Sequence, residues 1–283
     1  MIQKLLEQIP TMTPVNQKIG NYILDHKSEV GFMTIAQLSE KVDVSKASIV
    51  RFARQLDFEG FNEFKKVIQQ EIRQELSPYE KIKFTTLDSA TREDQFKRLA
   101  NNELKNVEST IHKIKPKEIF KVVNKLEHAQ KLFISGFGMS TNLARMMEYS
   151  LLSVTDKPVF VLSGSVSDFA LETNRMTEHD VLFLITFPVY SREIKYVAAM
   201  AKQRSTPICL LTDSLTCPIC KTASSIILCA TDSLLRINSY AAPLAVIHIM
   251  TNLLILNNKE KAENNVKKVM EIEKEGNQNL DCF

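Results

Sequence analysis

The feature that most constrains this fold is a series of short apolar runs in the second half of the chain, each followed by a stretch of helical periodicity. The runs predict five strands, at Lys131–Ser135, Val159–Leu162, Val181–Thr186, Ile208–Thr212 and Ile226–Cys229. Most are apolar on both faces, which indicates buried strands of a parallel sheet. Because the strands alternate with helices, we predict a flavodoxin-like, doubly wound α/β three-layer sandwich around a five-stranded parallel sheet.

The chain is longer than one such domain requires. It has 283 residues, whereas a typical domain has about 100–150, so two domains are expected. Residues 77–92 break the helical period and contain Pro78 among several Thr and Ser, which indicates a linker. The predicted order is an all-α domain over 1–77, a linker and connecting helix over 78–104, the α/β domain over 105–257, and a C-terminal tail over 258–283.

The composition is typical of a folded protein without a membrane partner. The chain is 44% hydrophobic and 24% charged, with 7 Gly and 9 Pro, which is ordinary globular usage. No stretch approaches the roughly 20 unbroken apolar residues of a membrane span, and the start lacks the pattern of an export signal. We therefore expect a cytoplasmic protein. The five scattered cysteines are expected to be reduced thiols.

Two short amphipathic helices lie close together in the first domain. Thr34 can cap the first and Ser45 the second. The inward stripe of the second helix is Ile49, Val50, Ala53 and Leu56. Its opposite face has short polar groups at the start and longer cations further along, which is typical of a recognition helix in the major groove. The predicted DNA-binding residues are Ser45, Lys46, Ser48, Arg51 and Arg54. An ordinary helix pair with a solvated charged face is the alternative.

The flanking sequence carries a family resemblance. The stretches TPVNQKIGNYILDH and VRFARQLDFEGFNEFK lie within residues 10–76, which closely resemble the N-terminal helix-turn-helix domain of the RpiR family. The resemblance implies an opening helix over Pro14–Asp25 and a closing helix packed by Phe58, Phe61 and Phe64. Asp43 stands where the family often has Gly, but Asp tolerates a left-handed turn.

The local charge of this domain is modest. Residues 45–66 carry five cationic and three acidic side chains, so one copy should attract DNA only weakly. Useful affinity would need two or more copies on one DNA. We therefore expect a homodimer or tetramer, with the apolar stretch Ala241–Leu256 supplying part of the contact. Its double-stranded DNA operator would be an inverted repeat with half-sites about 10 base pairs, or a multiple, apart.

Two loops of the second domain are candidates for binding an effector. The first runs from Ser135 to Ser140 and enters a helix, where its glycines permit a tight turn and the free helix amides can face an anion. The second runs from Ile185 to Glu193. Such loops converge at the carboxyl edge of a doubly wound sheet. The predicted effector-binding residues are Gly136, Gly138, Ser140, Thr186 and Ser191. Purely structural glycines and simple helix caps are the alternatives.

Residues 105–257 resemble a SIS (sugar isomerase) domain, which is also the second half of RpiR regulators. SGFGMS is similar to its first phosphate loop, and DVLFLITFPVYSRE to its second. The second loop departs from the family form, approximately I-S-x-S-G-x-T-x-E. Pro188 replaces a Ser and has no amide donor, and Val189 replaces the Gly. Arg192 either compensates for this loss or is only solvated.

Together the two resemblances imply a DNA-binding transcriptional regulator of sugar or amino-sugar metabolism genes. A phosphosugar or related anion in the SIS domain would modulate its affinity for the operator. The alternative is a SIS-domain aldose–ketose sugar phosphate isomerase. The five His suggest no acid–base pair, and Cys217 and Cys220 follow the wrong strand for a redox CxxC motif. No spacing suggests zinc. We therefore expect no enzyme activity, no cofactor and no metal.

Overall fold

A computed structural model describes residues 5, 7–73, 79, 82, 90–235 and 238–280 of the chain. The chain divides into two compact units, residues 1–96 with 232–237 and residues 97–231 with 238–283. Most of the predicted linker, over residues 78–89, lies outside the described residues.

The first unit is helical, as predicted. Its helices are α1 (Pro14–Asp25), α2 (Lys27–Val30), α3 (Ile35–Val42), α4 (Lys46–Gln55) and α5 (Phe61–Arg73). Thr34 caps α3 in a capping box with Gln37, which satisfies amides that a helix start leaves without partners. Between α3 and α4, Asp43 has the left-handed φ of 52° and ψ of 58° that the turn was expected to require.

The core of this unit corrects one detail of the predicted stripe. Val50 is only half-buried, whereas Phe52 is completely buried. The reason is helical geometry. At 100° per residue, Phe52 lies about 60° from Ile49 around the helix, while Val50 lies about 100° away. The ring of Phe52 packs edge-on against Phe64 with centroids 5.8 Å apart, and Phe61 is also buried.

The second unit is an α/β sandwich, and the predicted strand bounds agree with it within one residue. Its strands are β1 (Leu132–Gly136), β2 (Val159–Leu162), β3 (Val181–Ile185), β4 (Ile208–Thr212) and β5 (Ser225–Leu228). They form one five-stranded parallel sheet in the order β2-β1-β3-β4-β5. The predicted flavodoxin-like parallel sheet is confirmed.

Helices precede, connect and follow these strands, but between β4 and β5 there is only the short 3-10 helix Cys220–Thr222. The longer helices are α6 (Arg92–Lys113), α7 (Pro116–His128), α8 (Ser140–Leu152), α9 (Val166–Asn174), α10 (Arg192–Gln203), α11 (Ala241–Asn257) and α12 (Lys259–Leu280). β1, β3 and β4 are buried at every position, whereas the edge strands β2 and β5 are partly exposed. Alternate residues of the inner strands, such as Phe133 and Ile134, enter different core clusters. This two-sided burial explains why the strands are apolar throughout.

The two C-terminal helices differ in character. Most of the apolar surface of α11 packs in its own core, with Val246, Ile247 and Met250 fully buried. The predicted tail is the long helix α12. Among the described residues, no helix alone has the length and hydropathy to cross a membrane. α11 and residues 259–277 meet those criteria only as a pair, which bends by 107°.

Candidate functional site

The carboxyl edge of β1 and β3 is the topological switch point of the sheet. The two strands are neighbours, and Gly136 at the end of β1 is in register with Ile185 at the end of β3. From this point the chain turns outward in opposite directions, from β1 toward β2 and from β3 toward β4. The loops that enter α8 and α10 therefore leave the sheet side by side, at the place where doubly wound sheets bind ligands.

The two glycines of the first loop have different roles. A Cβ atom at Gly136 would lie 2.5 Å from the carbonyl oxygen of Ser140, so this glycine allows the turn to close. The hydroxyl of Thr141 also donates to the Gly136 carbonyl at 2.8 Å. Gly138 has a φ of +58°, and no atom lies within 4 Å of a Cβ placed there. Gly138 thus supplies a left-handed conformation in open space.

Ser140 is the first residue of α8 and is not its cap. The cap position belongs to Met139, and no side-chain cap hydrogen bond is present. Ser140 is buried, and within the described residues its hydroxyl has no hydrogen-bond partner. The structure therefore does not support a simple capping role for Ser140.

The first amides of α8 are not free, contrary to our expectation. Those of Ser140, Thr141 and Asn142 each donate to a carbonyl three residues earlier, at 3.2 Å. A tight 3-10-like start consumes these donors. The amides of Gly138 and Met139, by contrast, donate to no acceptor in the described part of the chain. The donors left at this loop therefore lie on the two residues just before α8, rather than in its first turn.

In the second loop, Thr186 and Ser191 hold different positions. Thr186 is buried, and its amide donates to the carbonyl of Leu211 at 3.0 Å. Ser191 caps α10, since its hydroxyl accepts from the amide of Ile194 at 3.3 Å. Ser191 is therefore a helix cap, which is the alternative to effector binding that the sequence left open. The next two amides, of Arg192 and Glu193, have no acceptor within the helix, as at any helix start.

Side chains from outside tie the second loop in place. The hydroxyl of Tyr190 donates to the carboxylate of Asp213 at 2.8 Å. The side-chain amide of Asn238 donates to the backbone carbonyl of Pro188. Burial, reinforced by the hydrogen bond to Asp213, raises the pKa of Tyr190 well above its usual range. Val189 is 84% exposed. The loop is therefore fixed at Pro188 and Tyr190, with Val189 turned to solvent between them.

The exposed face of α4 carries the predicted DNA-binding residues. Ser45 caps the helix by accepting from the amide of Ser48 at 3.1 Å. The guanidinium of Arg51 donates to the Ser48 hydroxyl at 3.2 Å, and Arg54 donates to the carbonyl of Glu59 at 3.3 Å. Lys46, Arg51 and Arg54 are exposed, and Ser48 is half-buried. The structure thus brings these groups onto one surface, with Arg51 held over the first turns of the helix.

Family models match both units of the chain. The model described as the helix-turn-helix domain of the rpiR family matches residues 1–75, and the SIS domain model matches residues 125–253. The chain therefore joins a helix-turn-helix domain of the rpiR family to a SIS domain. The resemblance stated from the sequence is confirmed for both parts.

Curated relatives of this chain are named transcriptional regulators. An uncharacterised HTH-type transcriptional regulator of Haemophilus influenzae is 25% identical and covers 80% of this chain and 78% of its own. The HTH-type transcriptional regulator HexR of Escherichia coli is 24% identical over 97% of this chain and 94% of its own. Among solved structures, the Vibrio vulnificus NanR protein complexed with ManNAc-6P is 18% identical. It has a TM-score of 0.59 and covers 96% of this chain and 97% of its own. The chain is therefore a helix-turn-helix transcription regulator with a SIS domain.

Two parts of the carboxyl edge of this SIS domain were missed by sequence reasoning. The loop after β2 leaves the sheet beside β1 and contains Gly164, with a φ of +83°. In it, Ser165 donates to the carboxylate of Asp168 at 2.8 Å. Ser239, in the segment between β5 and α11, donates to Glu103 of α6. The position of the first loop could have been inferred from the predicted strand β2, which it follows. No local pattern indicated the contact between Ser239 and Glu103.

The four cysteines in the described part of the chain do not resemble a redox centre. Cys209, Cys217, Cys220 and Cys229 are free thiols. Burial, with smaller contributions from Cys217 and Asp213, raises the pKa of Cys220 to about 11. A thiol of this kind is mostly protonated at neutral pH and is a weak nucleophile. Among the described residues, no group of three or more His, Cys, Asp or Glu could hold a metal ion.

Proposed function

We propose that this RpiR-family regulator binds a sugar phosphate or a related anion at the carboxyl edge of β1 and β3, and that this binding changes its affinity for operator DNA. One observation supports this most directly. The register of Gly136 with Ile185 sets the loops before α8 and α10 side by side at the switch point. Amides at such a position, with two helix N-termini nearby, favour an anion.

In this proposal the anion contacts come mainly from the first loop. The amides of Gly138 and Met139 and the hydroxyl of Ser140 have no partners among the described residues. Gly136 and Gly138 shape the turn, Thr186 lies at the end of β3, and Ser191 remains at the start of α10. The second loop would contribute less, since Pro188 has no amide hydrogen and Val189 replaces the Gly of the family form.

An amino-sugar phosphate is one member of the proposed ligand class. The V. vulnificus NanR protein, which shares the fold along 96% of this chain, is in complex with ManNAc-6P. At 18% identity this likeness supports only the class of ligand. The anion is also consistent with the exposed Arg192 at the first position of α10, which could pair with a phosphate or the acidic group of a sugar acid.

The DNA-binding surface in this proposal is the outer face of α4. Ser45, Lys46, Ser48, Arg51 and Arg54 would contact the duplex. Arg51, which the Ser48 hydroxyl holds over the start of the helix, would read a base edge. One weakly basic α4 is insufficient for tight binding. Two copies of the chain would therefore bind the two half-sites of an inverted repeat.

Isomerase activity is the alternative that we do not propose for this chain. Solved SIS structures with similar folds include a putative sugar-phosphate isomerase of Listeria monocytogenes, at 17% identity and a TM-score of 0.52. This chain, however, joins its SIS domain to an RpiR-type helix-turn-helix domain. The curated relatives that span most of it are named transcriptional regulators.

One experiment tests both halves of the proposal. Genomic fragments are selected with the purified protein, and binding to the enriched operator is then titrated with pentose, hexose and amino-sugar phosphates. Arg51→Ala should weaken operator binding by about 1–3 kcal/mol and relax base preference. Lys66→Ala, which removes an exposed charge of the same domain, should have a smaller effect that does not depend on sequence.

The effector half uses a matched pair on α8. Ser140→Ala should weaken binding of the active sugar phosphate about tenfold or more, because a hydrogen bond to a charged group is lost. Ser150→Ala, on the same helix but ten residues away, should leave it unchanged. Operator binding without effector should survive in both variants. Equal effector affinity of wild type and Ser140→Ala would remove Ser140 from the site, and no response to any phosphate would reject the proposed ligand class.

A further inference from the structure

Helix α6 is attached to the second unit by polar contacts. Among the described residues its buried side chains are Asn106 and Thr110, whereas the apolar Leu104 and Ile111 are 66% and 48% exposed. The Thr110 hydroxyl accepts from the backbone amide of Ala230 at 2.9 Å. A helix held by hydrogen bonds is displaced more easily than one packed into an apolar core, because each such bond contributes less than a buried apolar side chain.

The same helix is the element through which the chain enters the second unit. α6 begins at Arg92, and the second unit begins at Lys97. The part of the chain that precedes α6 includes the helix-turn-helix domain. α6 is therefore a covalent route by which a change in the second unit can reach the DNA-binding domain.

The segment 238–240, just before α11, contacts the second loop at two neighbouring residues. The side-chain amide of Asn238 donates to the backbone carbonyl of Pro188. The ring of Tyr240 packs edge-on against the ring of Phe187, with centroids 6.1 Å apart. Phe187 is buried, so a displacement of the loop would disturb both contacts.

Ser239, between these two residues of the segment, contacts α6. Its hydroxyl donates to the carboxylate of Glu103, and its backbone amide donates to the carbonyl of Thr231 at 3.0 Å. Ser239 is 5% exposed, so breaking the bond to Glu103 would leave a buried hydroxyl without an acceptor, which is costly. Three consecutive residues thus join the second loop to α6.

We propose that the segment 238–240 couples the effector site to α6, with Asn238 and Glu103 as positioning residues of the regulatory response. This inference rests on the proposed function and adds to it the route between the ligand and the helix-turn-helix domain. Because the second loop is fixed at Pro188 rather than loose, an anion that displaces the loop also displaces the segment. Contiguous hydrogen bonds and packed side chains with two arrangements are what carries coupling energy between distant sites.

The first test needs no effector. Hydrogen–deuterium exchange of the full-length protein is followed at the amides of α6. Asn238→Ala should speed this exchange about fivefold, because the segment that holds Glu103 loses its anchor on the loop. Asn257→Ala is the matched control, since it removes a side-chain amide that donates to Glu127 of the same unit at 2.8 Å and should leave α6 unchanged. Unchanged exchange of α6 in Asn238→Ala would overturn the proposal.

The second test measures the coupling itself, as the ratio of operator affinities with and without the active sugar phosphate. We expect a ratio of about fivefold or more in wild type, and a ratio close to one in Asn238→Ala and in Glu103→Ala. Both variants should keep near-wild-type affinity for the operator without effector and for the effector without DNA. Only the communication between the two sites is lost.

Two further variants of α6 separate the contact from the charge. Glu103→Gln keeps an oxygen that can accept from Ser239, so it should retain the response to effector. Glu108→Ala removes an exposed carboxylate of the same helix and should also retain it. A Glu103→Gln variant that behaves like Glu103→Ala would overturn the role assigned to this hydrogen bond.

The two contacts lie in series, so their effects should not add. The double variant Asn238→Ala with Glu103→Ala should lose no more of the coupling than either single variant. A full response in either single variant, or losses that add, would overturn the proposal. If no phosphate changes the operator affinity of wild type, the proposed ligand class fails, and the exchange of α6 then decides by itself whether the loop is coupled to this helix.

Discussion

The two loops that meet at the carboxyl edge of β1 and β3 keep their shapes by different means. The first closes on its own backbone, with Gly136 packed against the Ser140 carbonyl. The second is held from outside, by Asp213 acting on Tyr190 and by Asn238 acting on Pro188. The first loop therefore depends on having no side chain at one position. The second depends on hydrogen bonds and can accommodate Pro and Val where the SIS family has Ser and Gly.

This difference bears on ligand binding. The absence of a Ser hydroxyl and of a backbone amide donor at Pro188 does not loosen the second loop, because other groups fix it. The loss does reduce what the loop can offer to an anion. The amides of Gly138 and Met139, which have no acceptor among the described residues, remain in the first loop. We infer that, in this chain, the first loop is the main binding element and the second is mainly a rigid wall.

Among the substitutions that test this difference between the loops, one at Gly136 should have the largest effect on stability. Gly136→Ala would place a Cβ atom 2.5 Å from a backbone oxygen, and backbone cannot shift as cheaply as a flexible side chain. We expect a loss of about 3 kcal/mol in the free energy of unfolding, measured by urea titration with far-ultraviolet circular dichroism. Gly60→Ala, where a Cβ would meet nothing within 4 Å, is the control. A loss below that of Gly60→Ala would show that the turn is not closed in this way.

An intermediate effect is expected at Tyr190. Tyr190→Phe removes the hydrogen bond to Asp213, which should cost about 1–2 kcal/mol at neutral pH. Thr212 still donates to Asp213 at 3.2 Å, so the carboxylate keeps one partner. Tyr196→Phe, a partly exposed tyrosine on α10, is the matched control and should be nearly neutral.

The stability difference between wild type and Tyr190→Phe should also depend on pH. The pKa of Tyr190 is raised in the folded protein, so folding favours the protonated phenol. Its contribution is fully present below the unfolded pKa of about 10 and is lost as the pH rises above it. The stability difference between wild type and Tyr190→Phe should therefore shrink in alkaline solution. A difference that stayed constant to the alkaline limit of folding would contradict the role assigned to this hydrogen bond.

The sequence predicted the fold better than the contacts at the site. The strands were readable because two-sided burial makes every position apolar, and the recognition helix because its caps and exposed cations are local signals. Contacts between residues distant in the chain had no such signal. The hydrogen bond from Asn238 to Pro188 joins residues 50 apart, and nothing in either segment indicates it. The hydrogen bonding at the start of α8 could not be predicted either. A Gly-rich turn is compatible both with amides that lack an acceptor and with amides that donate to nearby carbonyls.

The smallest expected effect separates the two glycines of the first loop. At Gly138 there is open space, and only the φ of +58° opposes a side chain. Gly138→Ala should therefore cost about 1 kcal/mol of left-handed strain, and Gly138→Asn less, because Asn tolerates this region. At Gly136 the order should differ, with Asn at least as harmful as Ala, since the obstacle is steric. Urea titration of the four variants gives this comparison directly. Equal rescue by Asn at both positions would mean that conformation, rather than the approach of Ser140, determines the need for glycine throughout the loop.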